Sequence, residues 1–249
     1  MQPISTEHLN LSNNEPTTHE IYDVSWREYK VKLLTLAINI YRSNWEPDVI
    51  LSIGRGGLDV GNALSRLLQK TVGVVMCSSY NGEGERLRGE LYIADHVSIV
   101  NQQLKGRGLL VDDLVDSGVT LGKTRDWAVK KYPGLTEMRT AVVFTKTNTA
   151  VMPDYSAESV DGEKWIFLPG EVFDRIKYFK DLPKDVLAKM DDESISKFAR
   201  AMIENLPSDP LLPLSKEDQN EMAMKFAGQS KLSHETLPID AMLSMAINQ

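Results

Sequence analysis

A single cysteine, Cys77, stands in 249 residues, so no intrachain disulfide is available to staple the fold. It lies in the apolar run Val72-Gly73-Val74-Val75-Met76-Cys77 and reads as an inert, buried thiol, which leads us to expect a reducing, cytoplasmic setting. No stretch approaches the roughly 18 consecutive apolar residues of a spanning helix. The opening residues, MQPISTEHLNLSNNEPTTHE, are polar and lack the apolar region of a signal peptide, so no membrane partner is expected. Positive charge is also short: 28 Lys and Arg stand against 35 Asp and Glu, a net charge of -7. Such a chain has no overall basic footprint for nucleic acid, although a local phosphate site is compatible with it. With 4 histidines and one cysteine there is no His or Cys cluster for a dense metal cage. What is abundant is apolar surface: 42% of residues are hydrophobic, enough for one sizeable core and a small appendage.

The hydrophobic period changes along the chain in an alternating way. Ser25-Trp26-Arg27-Glu28 forms a possible capping box, after which Tyr29, Leu33, Leu34, Ala37, Ile40 and Tyr41 recur at helical spacing to about Ser43. Asp48 to Ile53 is a short β-branched run; Gly54-Arg55-Gly56-Gly57 is a tight turn; Leu58 to Leu68 is helical. Strands follow at Val72 to Ser79, Gly108 to Val111 and Thr140 to Thr145, with a helix from about Leu121 to Lys131. Strands alternating with helices predict an α/β fold: a mostly parallel, twisted sheet flanked by helices. Ligands of such sheets bind beyond the carboxyl ends of the strands.

The segment LLVDDLVDSGVT, residues 109 to 120, departs from what a core strand needs. Asp112 and Asp113 are expected at the end of a strand closing at Val111, with Asp116-Ser117-Gly118-Val119-Thr120 turning into a helix. Small residues at a helix start offer backbone N–H groups and hydroxyls to an anion, aided by the helix dipole. Carboxylates beside a phosphate site would repel the ligand unless they bind vicinal hydroxyls or a divalent cation. The combination points to a sugar phosphate. The plainer reading, strand-end solvation and an ordinary turn, does not account for both features meeting at one strand end.

That segment resembles the ribose-phosphate signature of the type I phosphoribosyltransferases, enzymes that use phosphoribosyl pyrophosphate (PRPP). ILSIGRGGLDVGNALSR, CSSYNGEGER, VVFTK and KWIFLPGE match further pieces in the same order and are most similar to the xanthine-guanine branch of the 6-oxopurine enzymes. The resemblance covers about residues 21 to 176. It implies a phosphoribosyltransferase domain there, with a small hood, after a flexible N-terminal arm (1 to 20) and before a helical C-terminal extension (177 to 249). It assigns the ribose hydroxyls to Asp112 and Asp113, and the 5'-phosphate to Asp116, Ser117, Gly118, Val119 and Thr120. The turn Gly54-Arg55-Gly56-Gly57 becomes the pyrophosphate loop, often carrying a cis peptide before the residue matching Arg55. Asp116 stands near N7 of the purine as a catalytic acid or base; a carboxylate that merely caps the turn is the rival reading.

The polar stretch Tyr80 to Gln103 is long for a plain connection, and the resemblance makes it a lid over PRPP with Arg86 contacting pyrophosphate catalytically. A solvated arginine is the alternative there, because this sequence is longer than its relatives at that point. Lys146, Trp165 and Ile166 are implied to bind the base, although a tryptophan is more commonly a core residue. Trp26, Trp45 and Trp127 read as packing. Mg²⁺ is the implied cofactor, held by Asp112 and Asp113 and by Glu171, which occupies a position usually held by aspartate. The expected activity is Mg²⁺-dependent transfer of the 5-phosphoribosyl group from PRPP to guanine, xanthine or hypoxanthine, in purine salvage. Partners would be PRPP, purine base, nucleoside monophosphate and pyrophosphate, in a homo-oligomer. A different class, a regulatory protein that senses PRPP or a nucleotide, is weighed against the enzyme; no basic helix-turn-helix segment precedes residue 21. In the extension, Ile195, Phe198, Met202, Ile203 and Leu206 form a helical stripe, Ser215 to Phe226 and Pro238 to Ile247 suggest further helices, and six of the ten methionines gather there.

Overall fold

Successive residues of the central strands pack on opposite faces of one sheet. In the computed structural model, which describes residues 5–9, 16–79, 91–100, 104–209 and 212–229, two compact units are formed, Met1–Pro169 and Gly170–Gln249. In chain order the first unit contains β1 (Ser5–Leu9), β2 (Pro16–Asp23), α1 (Trp26–Arg42), β3 (Val49–Gly54), α2 (Gly57–Leu68), β4 (Val72–Ser79) and β5 (Leu91–Ile93). It continues with β6 (Gly106–Val115), α3 (Val119–Lys131), β7 (Leu135–Lys146), β8 (Tyr155–Val160) and β9 (Trp165–Phe167).

Six strands make the main sheet, in the order β5-β4-β3-β6-β7-β8, with every pairing parallel except that of β4 and β5. Ile50, Leu109, Val111, Ala141 and Val143 face α1 and α2; Leu51, Ile53, Leu110 and Val142 face Leu121 and Ala128 of α3. Both faces are therefore covered, which explains why β3 is buried along its whole length and reads as a continuous apolar run. Ser25 caps α1 as expected, its side chain accepting from the Glu28 N–H at 3.1 Å. Trp45 is buried, whereas Trp26, expected to pack, is 44% exposed and meets Tyr29 edge-on.

Two connections differ from expectation. The N-terminal arm is not wholly loose: β1 pairs antiparallel with β2, and β2 pairs parallel with β9, giving a second, three-stranded sheet. Ile21, Tyr22 and Asp23 find partners in Trp165, Ile166 and Phe167, which satisfies the backbone of a segment that looks polar in isolation. Likewise, part of the stretch from Tyr80 to Gln103 is a return strand. Cys77, Ser78 and Ser79 pair with Ile93, Tyr92 and Leu91, while Val97 and Ile99 pack on the core under α3. Residues 80–90 and 101–103, including Arg86, lie outside the described residues.

The second unit begins at Gly170, ahead of the boundary expected after residue 176. The 3-10 turn Pro169–Arg175 leads into it: Ile176 packs on its core, and the Arg175 carbonyl accepts from the Leu214 N–H. Its helices are α4 (Lys184–Leu187), α5 (Asp192–Glu204) and α6 (Lys216–Gln229). Leu182, Val186, Met190, Phe198, Met202, Leu214 and Ala223 form the core. Of the stripe read from the sequence, Phe198 and Met202 are buried, but Ile195 and Ile203 face outward. The helix expected over Pro238 to Ile247 lies outside the described residues.

Candidate active site

Asp112 and Asp113 lie within β6, not past its end. The strand runs to Val115, because β7 continues to pair with it at Asp112↔Val142, Leu114↔Phe144 and Val115↔Thr145. On the other side β3 pairs only as far as Ser52↔Val111. The chain leaves β3 at Gly54 through a cis Gly54–Arg55 peptide, and the vacated edge of β6 is where the two carboxylates sit. The backbone N–H groups of Gly57 and Asp113 donate to the Asp112 carboxylate, the latter at 3.0 Å. A Cβ on Gly56 would occupy the position of the Asp113 carboxylate, so the GRGG turn and the acidic pair interlock. Ser52 braces the arrangement by donating its hydroxyl to the Gly57 carbonyl.

Charge is disfavoured at these carboxylates. Burial, and then the neighbouring charge of Asp113, holds the Asp112 carboxyl well above the usual carboxylate range; burial also raises Asp113. Two residues not singled out in the sequence belong to the same cluster. Asp59, in the first turn of α2, adds negative potential at Asp113, and the buried Tyr29 hydroxyl is raised by burial and then by Asp113, Asp59 and Asp112. An acidic residue two positions past the GRGG turn was the readable signal for Asp59; Tyr29 gave none beyond its place in a helical stripe.

A second tight turn follows at once. Gly118 has φ +81, and a Cβ there would strike Val151 and Thr149, so glycine is needed on both conformational and steric grounds. The turn carries Asp116, Ser117 and Val119 exposed to solvent, and Ser117 Oγ accepts from the Val119 N–H at 3.4 Å. α3 starts at Val119, earlier than expected, so Val119 and Thr120 stand in its first turn with no acidic residue among them. That end of the helix suits a phosphate. Lys146, at the end of β7, reaches over to it: its Nζ lies 3.2 Å from Asp116 Oδ1, with the lysine side chain 12% exposed and the aspartate 69%. Trp165 is 45% exposed and Ile166 is buried, adjacent on β9. The tryptophan is thus only about half covered, which leaves room for a stacking partner that a core residue would not have.

Residues 25–172 match the phosphoribosyl transferase domain family. The chain belongs to that family. Membership makes it a transferase of the glycosyltransferase class. A xanthine-guanine phosphoribosyltransferase of Cereibacter sphaeroides is 32% identical over 127 residues, 49% of this chain and 68% of that protein. Among solved structures, the Helicobacter pylori xanthine-guanine-hypoxanthine phosphoribosyltransferase aligns over 65% of this chain and 99% of its own, at TM-score 0.52 and 23% identity. A purine phosphoribosyltransferase of Pyrococcus horikoshii is 30% identical, covering 59% of this chain and 92% of its own at TM-score 0.49.

Within this phosphoribosyltransferase, the described residues hold no group of three or more His, Cys, Asp or Glu able to bind a metal ion. Asp112 and Asp113 offer a pair of adjacent carboxylates, and Glu171 belongs to the second unit. A pair of partly buried carboxylates suits a divalent cation that draws its remaining ligands from substrate oxygens and water. Cys77 donates to or accepts from Thr124 at 3.4 Å, and burial raises its thiol, in keeping with an inert role.

Proposed function

We propose that this enzyme transfers the 5-phosphoribosyl group from PRPP to N9 of a 6-oxopurine, guanine, xanthine or hypoxanthine, releasing pyrophosphate. The observation that carries the proposal is the contact of Lys146 with Asp116 at 3.2 Å, because it sets a donor beside an acceptor next to the phosphate turn. A 6-oxopurine offers the complementary pair, an acceptor 6-oxygen next to N7. Lys146 donates to the 6-oxygen; Asp116 holds the N7 proton as the N9–C1 bond forms. Trp165 stacks on the base, and the backbone near Ile166 meets its edge.

The ribose hydroxyls are held by Asp112 and Asp113, the 5'-phosphate by Asp116 to Thr120, and pyrophosphate by Gly54, Arg55, Gly56 and Gly57. As the C1–oxygen bond breaks, the ribose acquires oxocarbenium character and the departing pyrophosphate takes the electron pair, so catalysis rests on position and on neutralising charge. Bound Mg²⁺ would supply positive charge beside the ribose hydroxyls and pyrophosphate, with Asp112 and Asp113 as its protein ligands. Arg86 is proposed as an additional pyrophosphate contact. The enzyme would act as a cytoplasmic homo-oligomer in purine salvage.

The test is pyrophosphate release from PRPP with guanine, xanthine, hypoxanthine and adenine. Adenine presents an amino donor where Lys146 needs an acceptor, and discrimination of roughly 10⁴ or more is expected of a site built on such a bond. Efficient use of adenine by the unaltered enzyme overturns the base assignment.

A further inference from the structure

Helix α1 buries Tyr29, Leu33, Leu36, Ala37 and Ile40 against the sheet, yet its opposite face is also apolar. Trp26, Val31, Leu34, Ile38 and Tyr41 are 44–80% exposed, the densest group of exposed large hydrophobics among the described residues. The other fully exposed positions of the helix are Arg27, Lys30 and Arg42, so the face carries no acidic residue in a chain of net charge -7. Glu28 turns away from it and accepts from the Tyr22 hydroxyl at 2.6 Å. Val31, Leu34, Ile38 and Tyr41 follow the 3-4-3 spacing of a seam between helices. No function described above uses this surface.

We propose that this face is a two-fold interface with a second copy of the chain, the two α1 helices crossing antiparallel at Leu34. Arg27, Leu34 and Tyr41 are spaced by seven, so they lie almost in line, drifting about 20° per step round the helix. A two-fold axis through Leu34 therefore sets each Arg27 guanidinium against the partner's Tyr41 ring, where cation and aromatic face attract. Val31 and Ile38 lie together on one side of that line, three residues before Leu34 and four after it, and each meets the other's counterpart across the axis. Arg27, at the N-terminal end of the apolar stripe, thus gains a partner that needs no carboxylate. The exposed apolar residues offer on the order of 500 Å² per copy. Two copies then bury about 1,000 Å² from these side chains, the threshold of a specific interface.

Sedimentation velocity on the full chain tests this directly. The wild type is expected to be a dimer at roughly 50 µM. Leu34→Arg places two like charges on the axis while keeping a good helix former, and should raise the dissociation constant at least about 10-fold with the circular dichroism unchanged. Register is read by mild oxidation in a Cys77→Ser background. Leu34→Cys should link to itself; Arg27→Cys alone should not, but mixed with Tyr41→Cys it should give the crossed dimer. A monomeric wild type, including one that binds only an acidic partner, overturns the proposal. So does a dimer insensitive to Leu34→Arg, or self-linking at Arg27→Cys. Should Leu34→Arg fail to fold, the cysteine pattern decides alone.

Discussion

Asp112 stands where burial and its neighbour Asp113 both oppose a negative charge. A carboxyl whose folded value is raised above the ordinary 3.8 contributes stability that is complete below that value and is lost as pH rises through the folded value. At pH 7 the ligand-free enzyme therefore carries a local destabilisation that Asp112→Asn removes. Thermal melts should show the variant more stable at pH 7, by a few degrees at about 2–4 °C per kcal/mol, with the gap narrowing as pH falls towards 4. Turnover of the same variant should drop at least about 100-fold, since the carboxylate is proposed to meet the ribose. Lys146→Met should behave differently. Its partner Asp116 is 69% exposed, so stability changes little, whereas kcat/KM for every accepted 6-oxopurine should fall about 10- to 150-fold, equivalent to about 1.5–3 kcal/mol of transition-state binding, and the gap to adenine should narrow. An unaltered base profile would remove Lys146 from the base site.

At the level of elements, the turn Gly54–Gly57 and the strand β6 fit together too closely for a side chain at residue 56. Gly56→Ala should leave the fold cooperative but raise KM for PRPP about 10-fold or more, measured by initial rates at saturating base. Gly118→Ala should lower stability by at least about 1 kcal/mol, since φ +81 and the Val151 wall both oppose a Cβ; chemical denaturation measures it. The sequence shows which elements exist better than where they stop. β4 is readable to the residue at Val72–Ser79, because an apolar run meets turn residues at both ends. β6 reads as ending at Val111, because two aspartates look like a strand end until the β7 pairing beneath them is known. The return strand Leu91–Ile93 and the pairing of β2 with β9 are hidden for a related reason: both are short, partly polar, and stabilised by partners distant in sequence. The candidate site is clearer than the fold around it, since turn glycines and paired carboxylates are local signals, whereas Tyr29 joins the site only through packing.

For the molecule as a whole, the family match ends at residue 172, just beyond the start of the second unit at Gly170. The second unit has its own core, and none of the proposed base or PRPP contacts falls in it. Ending the chain after residue 176 should therefore leave the ranking of bases unchanged; a shifted ranking in a stable truncated enzyme would give the extension a part in recognition. Gly56 and Asp113 bear on how such a chain tolerates change. The missing Cβ of one residue and the carboxylate of the other occupy a single volume, although 57 positions of sequence separate them. Residues that share a volume are not free to vary one at a time. A side chain at 56 becomes admissible once residue 113 shrinks, so Asp113→Gly should relieve the packing conflict created by Gly56→Ala while doing nothing for catalysis. A double-mutant cycle across the two sites should then show stability recovering while turnover stays low, and any lineage that altered one position would reach the other only through a less fit intermediate.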